Sequence, residues 1–395
     1  MRPSRQALLL RCVLRYLYYS AILVGIMPFG ARIRRFVWCR VRLTWSVLVG
    51  LGTIGAVGFS FYRIVTLIEY PSIEIVRYLF YYEFVLRFGI LSSCYVLVWV
   101  NIRRLRVCGN TVAIIFEKLR RFNVPWMDKK LVWYGVTKIV LVDITMCCLF
   151  AINFRFNKKS DPVPAFERAM NVYAVFVAAQ VSNVCLCTMY LTSYLFRVIN
   201  WKIRVINRSL CDWDVEGSCL VPNKSGAKEM CADLILLSKL HFKTTGVAQS
   251  IFRIFGVSLA LINLNQFLVV TSRVYFVYVS VIQELKHEFE ITWNRYLISV
   301  LYVTFEVVHL LYLVSSSARS TRRAQKTLIL LTEFFGCELD KSIEKQFQNF
   351  TTGLLLRDQN VTLYGLYRLD FSLLYSMVAA IALKLIVLVQ LQLSD

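Results

Sequence analysis

Long apolar runs separated by shorter polar segments dominate the hydrophobic pattern of this chain. A membrane-spanning helix needs about 20 predominantly apolar residues, and seven runs reach this length. They occupy residues 46–68, 78–100, 131–152, 171–196, 254–282, 292–314 and 371–393. The pattern predicts an all-α, polytopic membrane protein with seven transmembrane helices, forming one seven-helix unit over residues 1–395.

Two segments between the runs have the periodicity of amphipathic helices. Residues 197–250 and 315–370 contain apolar residues that recur three and four positions apart, as on one face of a helix. They are too polar for the bilayer core and too apolar for solvated tails. We therefore expect the fourth, fifth and sixth spans to continue into the cytoplasm as helices that pack together.

A shorter apolar stretch, residues 18–30, precedes the first predicted span. It is too short to cross a bilayer, and Arg11 and Arg15 lie just before it. Basic residues follow it, where a signal peptide would have a small-residue cleavage site. We interpret the stretch as an interfacial or re-entrant helix that ends at Pro28, with an eighth span as the alternative.

Composition and charge refine this picture. Hydrophobic residues make up 57% of the chain, and the mean hydropathy is +0.57. The net charge is +22, but the basic residues lie between spans rather than in one stripe, which argues against nucleic acid as a partner. Lys and Arg are most abundant before the first span and after the second, fourth and sixth. Because cytoplasmic loops are enriched in Lys and Arg, this predicts an N-terminus inside and a C-terminus outside, opposite to a G-protein-coupled receptor.

The predicted orientation also determines whether four N-x-S/T sequons can be glycosylated. They begin at Asn207, Asn223, Asn349 and Asn360. All four lie in segments that the charge pattern places inside. We therefore expect none of them to be glycosylated.

Motifs of catalysis and metal binding do not emerge from the sequence. GxSxG, HExxH and P-loop patterns are absent, and the three histidines and twelve cysteines show no ligand spacing. We expect no enzymatic activity, no metal site and no cofactor. Residues Gly50 to Gly55 form a literal G-x-G-x-x-G. They lie inside an apolar span, where small residues favour close helix packing over dinucleotide binding.

Polar side chains within the spans are the candidates for ligand contact. Such residues are costly in hydrocarbon and usually face the bundle interior or a water-filled cavity. Glu83 and Arg87 can pair on one helix face, and Glu306 and His309 share a face of the sixth span. The pocket candidates are Glu83, Arg87, Asp143, Tyr173, Asn263, Gln266, Arg273 and Trp293. The alternative is that these residues tie helices to one another.

The segment from residue 362 onward, TLYGLYRLDFSLLYSMVAAIALKLIVLVQLQLSD, resembles the C-terminal signature of insect gustatory receptors. The matching positions are Gly365, Tyr367, Asp370, Ser372, Leu373, Leu374, Ser376, Met377, Ala379, Ala380 and Gln390. The departures are Leu383 and Lys384, where that family usually has Thr-Tyr, and Leu391, where it has Phe. The rest of the chain resembles the family more diffusely, through its seven spans and basic N-terminus.

The resemblance implies a tetrameric, ligand-gated cation channel in the plasma membrane of a chemosensory neuron. The implied partners are a small-molecule tastant, such as a bitter compound, membrane lipid, and other gustatory receptor subunits in a mixed assembly. In that family the seventh helix lines the pore and the outer half of each bundle holds the ligand. The pore-lining candidates are Leu383, Lys384, Val387 and Gln390. The alternatives are an insect odorant receptor, a G-protein-coupled receptor of opposite topology, and a secondary transporter.

Lys384 is unexpected in a cation pore. A ring of four lysines would repel permeant cations. Three interpretations are open: Lys384 pairs with an acid such as Asp143 or Glu306, it snorkels away from the pore, or partner subunits dilute it. We favour dilution by partners.

Overall fold

The computed structural model describes residues 5–32, 35–67, 74–119, 122, 129–144, 146, 148, 165–215, 224–285, 293–333 and 341–394. The helices are α1 Arg5–Leu23, α2 Arg40–Leu67, α3 Glu74–Val100, α4 Ile102–Leu119, α5 Lys129–Lys138, α6 Ala165–Val215, α7 Lys224–Leu285, α8 Trp293–Thr332, α9 Lys341–Leu355 and α10 Phe371–Ser394. A π-helix, Ile139–Ile144, continues α5. Two antiparallel hairpins join β1 Phe29–Arg32 to β2 Arg35–Trp38, and β3 Thr362–Leu363 to β4 Tyr367–Arg368.

The prediction of an all-α membrane protein is confirmed. Five helices in the described part of the chain are long and apolar enough to cross a membrane: Arg40–Thr66, Tyr81–Val100, Val172–Leu210, Gly226–Tyr275 and Ser299–Thr332. They correspond to the first, second, fourth, fifth and sixth predicted spans. The seventh corresponds to the 24-residue α10. The third begins in α5 and the π-helix, and most of its residues after 144 lie outside the described part. The count of seven and the orientation stay predictions.

Three helices are much longer than a bilayer is thick. α6, α7 and α8 contain 51, 62 and 40 residues. At the α-helical rise they are about 77, 93 and 60 Å long, against a hydrocarbon core of about 30 Å. Each therefore continues well beyond the membrane as one unbroken helix, and the amphipathic segments of the sequence lie on these continuations and on α9.

Two large hydrophobic clusters hold the bundle together. One lies among α2, α3, α6, α7 and α8, with Leu91, Val181, Phe255 and Val314 fully buried. The other lies among α4, α6, α7, α8 and α9, with buried Ile115, Ile199, Leu237, Leu331 and Phe350. The same long helices contribute to both clusters, so movement in one half of the bundle is mechanically linked to the other.

The N-terminal helix differs from its prediction. α1 begins at Arg5 and ends at Leu23, well before Pro28. Gly25 has a φ of +81°, and the amides of Gly25 and Ile26 donate to the carbonyls of Ile22 and Ala21 at 2.9 Å each. A left-handed glycine that satisfies the last carbonyls is a common helix terminator. The helix is therefore ended by Gly25, and Pro28 lies in the connection to β1.

The glycine-rich segment lies in the middle of α2. Since α2 runs unbroken from Arg40 to Leu67, the strand and turn of a dinucleotide site are not formed. Gly50 lies directly against the indole of Trp99, where a side chain would clash, and a Cβ at Gly58 would lie 3.5 Å from Phe88. Gly52 and Gly55 meet nothing within 4 Å in the described structure, so close packing depends on the other two glycines.

Candidate functional site

A cavity lies where four of the long helices meet. α3, α6, α7 and α8 each contribute to its wall. The lining residues are Arg87, Ile90, Ala174, Val175, Ala178, Ala179, Ile262, Asn265, Gln266, Phe305, Glu306 and His309. Arg87 and Gln266 are two of the residues that the sequence indicates as pocket candidates.

The charged side of the cavity is built on an ion pair within α3. The Arg87 guanidinium donates to the Glu83 carboxylate one turn earlier. Arg87 and Glu306 of α8 both line the cavity, so their opposite charges attract each other. The guanidinium of Arg273 stacks over the ring of Tyr302 at 5.6 Å from the ring centroid. Glu83 and Arg87 of the second predicted span and Arg273 of the fifth therefore gather around Tyr302 and Glu306 of α8.

Three lining residues carry buried polar atoms with no hydrogen-bond partner in the described structure. They are Asn265 Oδ1, Gln266 Oε1 and His309 Nε2. A buried polar atom without a partner costs free energy comparable to a lost hydrogen bond. A ligand or water that supplies hydrogen bonds to these atoms removes this cost. This wall can therefore bind a polar group.

The opposite wall is formed by small side chains of α6. Ala174, Ala178 and Ala179 lie on successive turns together with Val175. The sequence does not indicate these residues, because alanine within an apolar span has no functional group that sets it apart. Their small size is what leaves space between α6 and the polar side chains of α8.

The cavity is tight, with a volume of about 20 Å³. A single water needs at least about 10–15 Å³ by the same measure. The space therefore accommodates water, and a larger ligand enters only if the surrounding side chains, Phe305 among them, move.

The remaining pocket candidates lie elsewhere. Asn263 donates from Nδ2 to the Tyr367 hydroxyl at 2.9 Å, which ties α7 to the second hairpin. Tyr173 packs against the first hydrophobic cluster. Asp143 belongs to a separate ion pair described next. The side chain of Trp293, the first residue of α8, lies outside the described part.

A buried ion pair joins the predicted third span to α6. The ammonium of Lys138 donates to Asp143 Oδ1 at 2.6 Å and also to Asn183 Oδ1. All three side chains are buried. Residues five apart are about 140° apart around an α-helix, but the π-helix that begins after Lys138 has more residues per turn and brings the pair together. The spacing in the sequence therefore does not indicate Lys138 as a partner of Asp143.

The second hairpin clamps the start of α10 against α7. Tyr364 and Gly365 form its turn, with φ values of +50° and +73°, and the Leu366 amide donates to the Leu363 carbonyl at 2.9 Å. A Cβ at Gly256 would lie 2.5 Å from the Tyr364 ring. Asp370 then caps α10 by accepting from the Ser372 amide at 2.9 Å, as aspartate commonly does at helix starts.

α10 packs on the bundle by one side only. Leu373, Leu374 and Met377 contact the first hydrophobic cluster, whereas Leu383 is 66% exposed and Lys384, Val387 and Gln390 are also exposed. Residues seven apart lie on nearly the same side of a helix. Lys384, seven residues after Met377, therefore lies on the same side of α10 as Met377. Leu383 and Gln390, which are also seven residues apart, point away from the bundle.

Lys384 does not pair with either acid suggested from the sequence. Asp143 pairs with Lys138, and Glu306 lies beside Gln266 in the cavity wall. Among the described residues, no ion pair of Lys384 is formed. Pairing with either of these two acids is therefore not formed in the described structure, and snorkelling or dilution by partner subunits stays open.

Comparisons with known proteins agree with this architecture. A family model described as 7tm Chemosensory receptor matches residues 14–395. No curated protein matches the chain. The insect olfactory receptor OR5 from Machilis hrabei has a similar structure, with a TM-score of 0.67 and 13% identity over 97% of this chain and 98% of that one. The same receptor in complex with eugenol matches with a TM-score of 0.62 and 13% identity over 98% and 99%. At this identity the structural likeness shows the fold alone.

Proposed function

We propose, from the premise that this chain belongs to the 7tm chemosensory receptor family, that it is one subunit of a ligand-gated cation channel for taste. Its ligands are small non-volatile compounds, bitter compounds among them. Its place is the plasma membrane of a chemosensory neuron, in a mixed tetramer with other gustatory receptor subunits. The cavity among α3, α6, α7 and α8 is the observation that carries the proposal.

The cavity supports ligand binding through its mixed chemistry. An apolar wall with a few convergent polar groups is the usual composition of a small-molecule site. Here the alanines of α6 face Gln266 and Asn265, whose amide oxygens lack partners in the described structure. A ligand with an apolar body and one hydrogen-bond donor fits both walls.

The coupling between ligand and pore follows from the position of Asn263. α7 lines the cavity through Ile262, Asn265 and Gln266, and the neighbouring Asn263 is bonded to Tyr367 at the base of α10. A ligand that displaces α7 or rotates it therefore moves the hairpin from which α10 starts. We assign α10 as the pore helix, with Leu383, Val387 and Gln390 toward the channel axis.

Lys384 supports the mixed assembly. Lys384 lies within the apolar helix α10, where an ammonium needs a partner or water, and the two candidate acids of this chain are engaged elsewhere. Lys384 lies about 100° around α10 from Leu383, at the edge of the side assigned to the channel axis. In a homotetramer four ammonium groups would lie at that edge, whereas in a mixed tetramer the number falls with each partner subunit that lacks the lysine.

Recording of ligand-evoked currents tests the proposal. The chain is expressed with gustatory receptor subunits and challenged with a panel of non-volatile compounds. Ala178→Phe places a phenyl ring in a cavity of about 20 Å³, so we expect at least a tenfold loss of ligand sensitivity at normal surface expression. Val96→Phe, on the exposed side of α3, adds an aromatic ring outside the cavity and is expected to respond normally.

Two outcomes contradict the assignment. An unchanged response of Ala178→Phe would place the ligand site outside this cavity. A response to volatile compounds and to none of the non-volatile panel would favour odorant reception, the function of the receptor from Machilis hrabei that shares the fold.

A further inference from the structure

We propose that the first hairpin, together with the starts of α2 and α4, binds the headgroups of anionic phospholipids. We name this region the basic hairpin surface and define it by Arg35, Trp38, Arg40, Arg103 and Arg106. It shares no residue with the cavity or with α10.

The hairpin is held rigidly on α4. The Phe36 amide donates to Asn110 Oδ1 at 2.7 Å, and Asn110 Nδ2 donates back to the Phe36 carbonyl at 3.3 Å. The Phe36 ring occupies the space over Gly109, where a Cβ would lie 2.5 Å from the ring. Because an isolated two-stranded hairpin is marginally stable in water, these contacts fix its position and present the outer residues in a defined arrangement.

The charges of this surface are concentrated and uncompensated within the chain. Arg35, Arg40 and Arg103 are exposed, and among the described residues none of them forms an ion pair. The first acidic residue of the sequence is Glu69. Arg42, by contrast, is used internally, since it donates to the Phe29 carbonyl at 2.6 Å and to the Tyr18 hydroxyl. The exposed arginines are therefore available to an external anion.

α4 brings two more cations to the hairpin. The guanidinium of Arg106 lies 5.7 Å from the centre of the Trp38 ring, in a cation–π arrangement. Arg103 lies one turn earlier on the side of α4 that carries Arg106 and Asn110. Four arginines on β2, α2 and α4 thus border the hairpin, and guanidinium groups bind the phosphate of a headgroup through N–H bonds.

Exposed apolar residues beside the arginines indicate a membrane-bound anion. Trp38 is 40% exposed, Trp45 is 45% exposed and Val41 is 78% exposed. Trp45 also donates from Nε1 to the carbonyl of Ile22 at 3.1 Å, which leaves its ring at the surface. Tryptophan beside basic residues is typical of the membrane–water interface, whereas a free phosphate gains nothing from adjacent apolar side chains.

The predicted orientation matches this assignment. With the N-terminus inside, the basic hairpin surface faces the inner leaflet, which is the leaflet richer in anionic lipid. Each basic residue near such a surface contributes about fivefold to binding.

Lipid titration of the full-length purified protein tests the inference. The protein in neutral detergent is titrated with short-chain phosphatidylserine, short-chain phosphatidylcholine or inorganic phosphate, and binding is followed by native mass spectrometry. We expect phosphatidylserine to bind more tightly than either of the other two. The double variant Arg35→Gln/Arg103→Gln is expected to bind it about 25-fold more weakly.

A matched control separates local binding from general charge. Arg204→Gln/Arg208→Gln removes the same charge from two exposed positions of α6 and is expected to leave phosphatidylserine binding unchanged. Elution volume and thermal midpoint in neutral detergent verify that both variants fold. Equal affinity of both double variants for phosphatidylserine overturns the proposal. Inorganic phosphate binding as tightly as phosphatidylserine overturns the assignment of a lipid, because the apolar residues would then be irrelevant.

Discussion

The buried ion pair between Lys138 and Asp143 makes a quantitative prediction. The ammonium and carboxylate lie 2.6 Å apart, and Asn183 accepts a further hydrogen bond from the ammonium. Replacing Asp143 by Leu leaves a buried ammonium with one neutral partner. Removing one member of a buried pair typically costs about 3–5 kcal/mol, so we expect Asp143→Leu and Lys138→Met each to destabilise the protein by that amount.

The double variant distinguishes the pair from a packing effect. Replacing both charges by apolar groups removes the desolvation penalty together with the attraction, which is often nearly neutral. Lys138→Met/Asp143→Leu is therefore expected to be at least about 2 kcal/mol more stable than either single variant. The same replacements at Lys202 and Asp233, which pair at 2.9 Å with side chains 22% and 23% exposed, provide the control. There each single variant is expected to cost about 1 kcal/mol or less.

Thermal unfolding in detergent, followed by the amount of monodisperse protein, measures these differences. We expect the apparent midpoint to fall by about 4–6 °C for each buried single variant and to recover in the double variant. A double variant no more stable than the singles would show that the two charges do not interact, and the π-helical geometry that brings them together would be refuted.

Three further predictions concern α7, α10 and the topology. Gly256→Ala forces the Tyr364 ring to move and is expected to cost about 1–3 kcal/mol in the same unfolding assay, whereas Gly246→Ala, with nothing within 4 Å, is expected to be neutral or slightly stabilising. In the proposed channel Lys384→Tyr removes a cation from the pore helix, so single-channel recording is expected to show higher cation conductance; unchanged conductance at normal expression would favour snorkelling. Endoglycosidase treatment is expected to leave the mass of the natural protein unchanged and to lower the mass of a variant with a sequon engineered into residues 153–164. Glycosylation of the exposed Asn349 would show that the orientation is the opposite of the predicted one.

The long apolar runs were sufficient to predict the helices of the bundle. Continuous hydrophobicity over about 20 residues has few structural solutions, so α2, α3, α10 and the membrane parts of α6, α7 and α8 follow from composition alone. The end of α1 did not follow, because both Gly25 and Pro28 can end a helix and only the observed φ of +81° at Gly25 decides between them.

The candidate site was only partly accessible from the sequence. Arg87 and Gln266 are recognisable because polar side chains are conspicuous in apolar spans, but their facing depends on how four helices are rotated. Asn263 lies three residues before Gln266, yet it bonds Tyr367 on the second hairpin. The sequence does not indicate Ala178, because an alanine contributes to the cavity only by its small side chain.

Lys138 illustrates a different limit. An α-helical wheel separates it from Asp143, and the five-residue spacing becomes a contact only because the backbone adopts a π-helix. Sequence periodicity assumes a regular helix, so a local change in winding escapes it.

Ligand-evoked current in excised membrane patches tests the central claim most directly. Patches from cells that express the chain with its partner subunits are bathed in solution without GTP or ATP, and a compound active in intact cells is applied. A ligand-gated channel is predicted to pass cation current in the excised patch, and Ala178→Phe is predicted to lower the ligand sensitivity of that current at least tenfold. A response that occurs only in intact cells and disappears when GTP is removed would contradict the claim and indicate coupling through G proteins.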